Sequence, residues 1–489
     1  MFAFFLSSGL FLGWSLGAND ASNVFGTAVG SRMVKFRTAA IVCSVFVILG
    51  AVISGAGASH TLGKLGSINA IAGAFMVAFA AAMSVYLMTL ARYPVSSSQA
   101  IVGAIIGWNL FTGSIIDTHS LTKIVLTWVA CPILAAIFAM LIYKFVAIYI
   151  NFSKIHMFKL DSMTRYGLFL AGAFGSYSLG ANNIANVMGV FVPVSPFSTI
   201  TFQGLFSLSS AQQLFLIGSV AIAVGVFTYS KRVMMTVGRG IFHLSPVAAF
   251  VCVVAHSIVL FLFASQGLER FLISHNIPPI PLVPVSSSQA IVGAVIGIGL
   301  LKGRGRGIRW RTVAGITSGW IITPIIAALI SFISLFFLQN VFQQETFRPV
   351  AYLITSDVAE RIQDKGVSTK GLENVQLKEF DTAVKFNKEL SEYMDLTRKE
   401  RDLIMASAEL DEMEVTKDGI IGLDMNWITP QQAAGLELLE GRIFEHKWQL
   451  DDALAEMSPS WRLKADDDKH NRDIEQKLAY IYKYFRVNE

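Results

Sequence analysis

Residues 94–104 read PVSSSQAIVGA, and residues 284–294 read the same eleven letters. A second pair stands upstream, LGANDASNVFG at 16–26 and LGANNIANVMG at 179–189. More loosely, Trp128 and Pro132 pair with Trp320 and Pro324. The pairs are offset by 163, 190 and 192 positions, so the order of elements is kept while the loops between them differ in length. Three serines held between a proline and a glutamine and copied letter for letter mark an internal duplication.

Around the copied stretches lie apolar runs of about 20 residues, each long enough to cross a hydrocarbon core of roughly 30 Å as a helix. Clear examples are 37–57, 68–91, 122–150, 210–230, 245–266 and 312–342. The chain has 489 residues, is 53% hydrophobic and only 15% charged, against about 25% charged in an average soluble protein, which excludes an ordinary soluble enzyme. Each half holds five apolar segments: 2–30, 37–57, 68–91, 95–113 and 122–150, then 166–192, 210–230, 245–266, 287–301 and 312–342. An odd number per half makes the halves enter a membrane in opposite senses. The predicted fold class is an all-α polytopic membrane protein of two inverted-topology repeats, 1–152 and 153–342, each of about five helical segments with broken or re-entrant helices. A charged, soluble, helical C-terminal domain at 343–489 completes it.

The net charge of +5 describes neither part. Only four acids, Asp20, Asp117, Asp161 and Glu269, stand in the first 342 residues against 19 basic residues, whereas the tail has 30 acids and 20 bases. Basic residues gather in alternate loops: Arg32, Lys35 and Arg37; Arg92; Lys144, Lys154, Lys159 and Arg165; Lys231, Arg232 and Arg239; and Lys302, Arg304, Arg306, Arg309 and Arg311. By the positive-inside rule these loops are cytoplasmic and the N-terminus is external. The first run has neither a basic leader nor a small-residue cleavage site, so it reads as a retained span. Cys43, Cys131 and Cys252 sit in separate apolar runs and read as packing residues. In the tail, 377–405 and 430–457 have helical periodicity with interspersed charge and read as an accessory domain.

The polar letters of the copied motifs carry the chemistry. Asp20, with Asn19 and Asn23 beside it, is the acid of the first 342 residues that does not read as a loop residue, and a carboxylate in an apolar segment demands a partner, an ion or water. Gly17, Gly26 and Gly30 flank it and predict a broken helix whose freed carbonyls would coordinate ions. In the second copy Asn182, Asn183 and Asn186 recur, with Asn183 where Asp20 stands in the first. Asp20 is the leading candidate for a cation ligand, a Na⁺ site if sodium is the ion, or for a proton carrier. Polar residues that only glue helices together are the plainer reading, which symmetric repetition disfavours.

Behind Pro94 and Pro284, the runs Ser96, Ser97, Ser98, Gln99 and Ser286, Ser287, Ser288, Gln289 suit the start of a helix. Hydroxyls there lie among the unpaired amides of the first turn, and such a terminus favours anions. Two of them converging would wrap a small tetrahedral oxyanion in neutral donors. No His or Lys recurs beside either cluster as a general base, so a serine hydrolase, or any enzyme, is not expected. His60, His119 and His256 lack metal-ligand spacing and read as structural. Arg92 reads as a topology-setting charge, and Gly103, Gly107, Gly293 and Gly297 as close-packing faces.

These motifs resemble those of the inorganic phosphate transporter (PiT) family, whose members carry GANDVANAFGT-like and PVSTTHAIVG-like stretches once per half. The resemblance covers residues 1–342 and leaves the tail outside. It implies symport of inorganic phosphate with Na⁺ or H⁺ by alternating access. It places Asp20, Asn23, Asn182, Asn183 and Asn186 in the cation and phosphate core and has Ser96, Ser97, Ser98, Ser286, Ser287 and Ser288 cradle the anion; beside them Asn19 is a candidate for the cation, and Gln99 and Gln289 for the anion. This chain departs from the family at Asn183, where Asp is usual, and at Gln99 and Gln289, where His is common. Because phosphate brings a proton that needs an acceptor and sulfate does not, a sulfate permease of the same family is the alternative, and a passive anion channel a weaker one. Expected partners are inorganic phosphate, the coupling cation and the lipid bilayer of a cell (inner or plasma) membrane. Neither a cofactor beyond the coupling Na⁺ or H⁺ nor a nucleic acid is expected, and a homo-oligomer is left open.

Overall fold

The computed structural model describes residues 2–66, 68–90, 95–202, 206–237, 244–423, 425, 427–464 and 467–487. Arg92, Pro94, Arg239 and the side chain of His60 lie outside the described residues. Two compact units are present, one formed by 1–112, 116–197 and 208–347, the other by 113–115, 198–207 and 348–489.

In the first half of the first unit the helices are α1 (Phe2–Gly30), α2 (Phe36–Ser54), α3 (Ala56–Leu65), α4 (Ile71–Leu90), α5 (Ser97–Thr112) and α6 (Thr118–Ser153). The second half continues with α7 (Met157–Met188), α8 (Ser210–Thr228), α9 (Ser230–Val237), α10 (Pro246–Ala264), α11 (Gln266–Ser274), α12 (Ser287–Gly303) and α13 (Trp310–Asn340). Among the described residues, each of the ten expected apolar segments holds a helix. Seven of them, α1, α2, α4, α6, α8, α10 and α13, are long and apolar enough to cross a membrane. With 16 and 17 residues, α5 and α12 reach only about 24–26 Å at 1.5 Å per residue, short of a roughly 30 Å core. In α7 the asparagines of the copied motif lower the hydropathy.

The expected break in the motif helices is absent. Both α1 and α7 run unbroken through 17–23 and 180–186, and the interruptions fall instead between α2 and α3 and between α8 and α9. Packing explains why the glycines are there. A Cβ on Gly17 would stand 1.9 Å from the carbonyl oxygen of Ile222, and one on Gly180 would stand 2.1 Å from that of Val47. In the same way Gly225 closes on Trp14 at 2.1 Å and Gly50 on Tyr177 at 2.0 Å. Gly103 meets Pro324 at 2.2 Å and Gly293 meets Pro132 at 2.1 Å; Gly107 meets Ala328 and Gly297 meets Ala136. Each contact has its counterpart in the other half, so α1 packs on α8 as α7 packs on α2, and α5 on α13 as α12 on α6. Backbone-to-backbone approach at small residues is how helices associate where lipid offers no hydrophobic gain. The expected close-packing faces at 103, 107, 293 and 297 are therefore present.

Two of the three acids read as loop residues lie on helices, Asp161, exposed, on α7 and Glu269, half-buried, on α11. Asp117 caps α6, accepting from the His119 amide. Pro284 stands two residues before the cap of α12, in extended chain rather than in the first turn. The three cysteines are free and buried.

The other unit uses a similar order of elements twice, with a single 3-10 turn, Leu372–Asn374, where the second copy has a full helix. Strand Tyr352–Leu353, helix Ser356–Asp364, strand Glu379–Phe380 and helices Ala383–Tyr393 and Arg398–Ala408 are followed by strand Met413–Glu414, helices Lys417–Ile421 and Pro430–Glu437, strand Ile443–Phe444 and helices Lys447–Met457 and Asp468–Phe485. In each copy the two strands pair antiparallel. A bridge closes each copy at its end, Tyr352 to Glu409 in the first and Met413 to Arg486 in the second. Each has its own apolar core, around Phe386 and Leu390 in one and Leu450 and Leu454 in the other.

Candidate anion and cation site

The starts of α5 and α12 are capped by their own serines. The Ser96 hydroxyl accepts from the Gln99 amide at 3.3 Å and the Ser286 hydroxyl from the Gln289 amide at 3.2 Å. One serine per copy is thus spent on the helix, and Ser286 also bonds Ser288 at 3.0 Å. That leaves Ser97, Ser98 and Ser287 to reach outward. Ser98 donates to the backbone carbonyl of Val285 at 3.0 Å, which brings the start of α5 against the chain entering α12.

The motif helices supply the opposite wall. Asn183 of α7 donates to Asp20 Oδ2 of α1 at 3.0 Å, joining the divergent positions of the two copies directly. Ser97 and Asn23 donate to the same carboxylate only at 3.5 Å. A carboxylate offers about four lone-pair sites, so one good bond and two long ones leave Asp20 with capacity for a cation or a proton. All three donors are neutral, and Asp20 is 3% exposed.

Asn23 Nδ2 also donates to Ser287 Oγ at 3.0 Å, and Asn186 Nδ2 donates to Ser98 Oγ at 2.9 Å. Each motif helix therefore holds a serine of the other half. Asn182 turns to the Val283 carbonyl at 3.4 Å. The structure thus brings together Asp20, Asn23, Asn182, Asn183, Asn186, Ser97, Ser98 and Ser287. Asn19 does not join them: it bonds Thr89 at 3.3 Å, beside a cleft lined by Trp14, Tyr86 and Tyr229. Gln99 and Gln289 are buried next to the serines.

The oxygens Gln99 Oε1, Gln289 Oε1, Asn182 Oδ1, Asn183 Oδ1 and Asn186 Oδ1 are buried without a hydrogen-bond partner among the described residues. A buried acceptor left unpaired costs about 1–3 kcal/mol, and carboxamide oxygens of this kind are the ligands a hard cation takes. Among the described residues no three His, Cys, Asp or Glu side chains gather as metal ligands, so a site for a softer transition metal is not what the residues build.

One residue read as structural stands in this site. His256 of α10 is fully buried, with Nε2 2.9 Å from Ser287 Oγ. Its signal was available in register: AGAF at 72–75 in α4 aligns with VAAF at 247–250 in α10, and most buried positions of the two helices then coincide. Ala81 falls where His256 stands.

Helices that cross a membrane, joined through glycine seams around a buried carboxylate, carboxamides and two serine-capped helix starts, define a polytopic membrane protein with an internal polar site fit for ions. A sequence profile described as the phosphate transporter family matches residues 16–331 and 280–485, and the chain belongs to that family. It is 28% identical over 323 residues to a proposed phosphate permease of Methanocaldococcus jannaschii, covering 65% of this chain and 91% of that one. It is 24% identical over 426 residues to the chloroplastic inorganic phosphate transporter 2-1 of Arabidopsis thaliana, covering 66% and 70%. A solved structure titled "The sodium-dependent phosphate transporter" is similar in fold with a TM-score of 0.55 at 21% identity, covering 70% of this chain and 99% of that one.

Proposed function

We propose that this protein is a secondary active transporter that symports inorganic phosphate with Na⁺ or H⁺ by alternating access in a cell membrane. Residues 1–152 and 153–342 act as its inverted repeats, 343–489 as a charged accessory domain, and the N-terminus lies outside. The observation that carries this reading is the Asp20–Asn183 bond across the two copies, flanked by serines at the starts of α5 and α12. Phosphate sits between Ser97, Ser98 and Ser287, near the first-turn amides of both helices, where dipole and donors favour an anion. The cation sits at Asp20 with the asparagine oxygens, beside the anion whose charge it offsets. Oxygen-only ligands and the sodium-dependent transport named in the structural neighbour's title favour Na⁺.

Uptake of labelled phosphate into proteoliposomes tests this. Accumulation above equilibrium that collapses without an imposed Na⁺ gradient, and that excess sulfate leaves unchanged, is expected. Accumulation driven by a pH gradient alone makes H⁺ the ion. Sulfate competition at equal concentration turns the reading to a sulfate permease, and equilibration without accumulation turns it to a channel.

A further inference from the structure

His256 lies outside both copied motifs, yet it touches the anion side of the site. The Ser287 oxygen accepts from Asn23 Nδ2, a group that can only donate, at 3.0 Å. Its second neighbour is His256 Nε2 at 2.9 Å. His256 Nδ1 is buried with no hydrogen-bond partner among the described residues. Two arrangements of a neutral ring satisfy these contacts. If the Ser287 hydroxyl donates to Nε2, the ring proton sits on Nδ1 as a buried donor with no acceptor. If Nε2–H donates to Ser287, Nδ1 is left as an unpaired acceptor, and orphaned buried N–H groups are rarer than under-satisfied acceptors.

We infer that His256 donates from Nε2 to Ser287, so that this serine accepts two hydrogen bonds and its own proton has one place to go, the oxyanion of the substrate. His256 is a positioning residue for anion binding and does not itself touch the ligand. The first half has no such device. Ala81 replaces the histidine, and Ser97 turns its proton toward Asp20 Oδ2 instead. Ser287 is thereby committed to the anion while Ser97 is shared with the carboxylate. The inference rests on the proposed phosphate symport at this site.

Two substitutions separate the ring nitrogens. The amide nitrogen of His256→Gln lies at about the reach of Nε2 and keeps the donor, whereas that of His256→Asn stops near Nδ1 and cannot meet Ser287. In proteoliposomes His256→Gln is expected to hold the KM for phosphate within about 3-fold of wild type. His256→Asn should raise it about 10-fold, the scale of one hydrogen bond to a charged group, with maximal rate within about 2-fold. His256→Asn combined with Ser287→Ala should add nothing to Ser287→Ala alone. Equal KM values for the Gln and Asn variants, additivity in the double variant, or a loss of folded protein in both single variants with KM unchanged overturns the inference and makes His256 a space-filling residue. Wild-type protein that carries no phosphate overturns the symport reading itself, and this inference with it.

Discussion

The serines at 97 and 287 occupy copies of the same eleven letters, and each stands at the start of a short helix packed by glycine against a proline of the other half. Their neighbours differ. Ser97 faces Asp20, itself bonded to Asn183, and Ser287 faces Asn23 and His256. Duplication has supplied the backbone twice, and two single-residue differences, Asp20 against Asn183 and His256 against Ala81, have divided the labour. On the proposed function, these two differences turn a cradle built twice into a cation side and an anion side. A symport site needs that polarity, because two ions of opposite charge must find distinct partners within one small space.

If the common backbone is what the copies preserve, then its seams are the most sensitive points. Gly17→Ala and Gly180→Ala each drive a Cβ into a carbonyl at about 2 Å, where neither partner is a flexible side-chain end. Overpacking costs about 1–3 kcal/mol where side chains can yield, and here backbone must move. Both variants should give little folded protein on fluorescence-detected size exclusion, to a similar degree. A large inequality between them would break the equivalence of the two seams.

Charge comes next. Asp20→Asn should lower phosphate uptake about 100-fold with folded protein retained, because all the donors around it are neutral and tolerate a carboxamide. Returning the charge on the other copy, in Asp20→Asn with Asn183→Asp, should restore a measurable part of the uptake, since the two side chains are 3.0 Å apart. Full activity of Asp20→Asn would remove the carboxylate from the mechanism.

The smallest effect concerns the charged unit, where the same kind of difference recurs. Asp451, hydrogen-bonded by the Tyr482 hydroxyl, stands in the second copy where Asn387 stands in the first. Burial pushes its carboxyl from 3.8 up to about 6 against the opposing effect of Tyr482. A raised carboxyl stabilises the fold most below its unfolded value, and that contribution is lost as pH rises through about 6. The Asp411 carboxyl is held below its usual value and the Lys447 amine above its own, so neither titrates in that window. Hydrogen exchange across 447–457 in the full chain should show greater protection at pH 5.5 than at 7.5, after correction for intrinsic rates, and Asp451→Asn should abolish the difference. An unchanged difference in that variant would assign it to another group.

Much of the membrane unit was legible because its signals are local. Apolar runs of helical length, a copied eleven-residue stretch around SSSQ and a lone acid on an apolar helix each carry their meaning within a few residues. The continuous course of α1 and α7 was not legible. Glycine in sequence signals backbone freedom as readily as close approach, and only the position of Ile222 and Val47 across the seam decides between them. His256 escaped for a related reason: it lies 31 residues from Ser287, and its neighbour on the helix face says nothing of what stands opposite. In the charged unit the repeat is sparse in letters, Gly371-Leu372-Glu373 against Gly435-Leu436-Glu437 with Phe380 and Leu390 against Phe444 and Leu454, and it became plain only with the strand pairing and the bridges at 409 and 486.

The crossed seams bear on how such a chain is made. Every glycine contact between α1 and α8, or α2 and α7, joins segments on either side of the internal duplication. During synthesis α1 and α2 enter the bilayer long before α7 and α8 exist, and their small-residue faces meet lipid until then. Long-range closure of this kind is slow and exposes intermediates. A chain arrested after α6 therefore holds half of each seam and no complete polar site. Two separately expressed halves, 1–152 and 153–342, would together hold both sides of each seam.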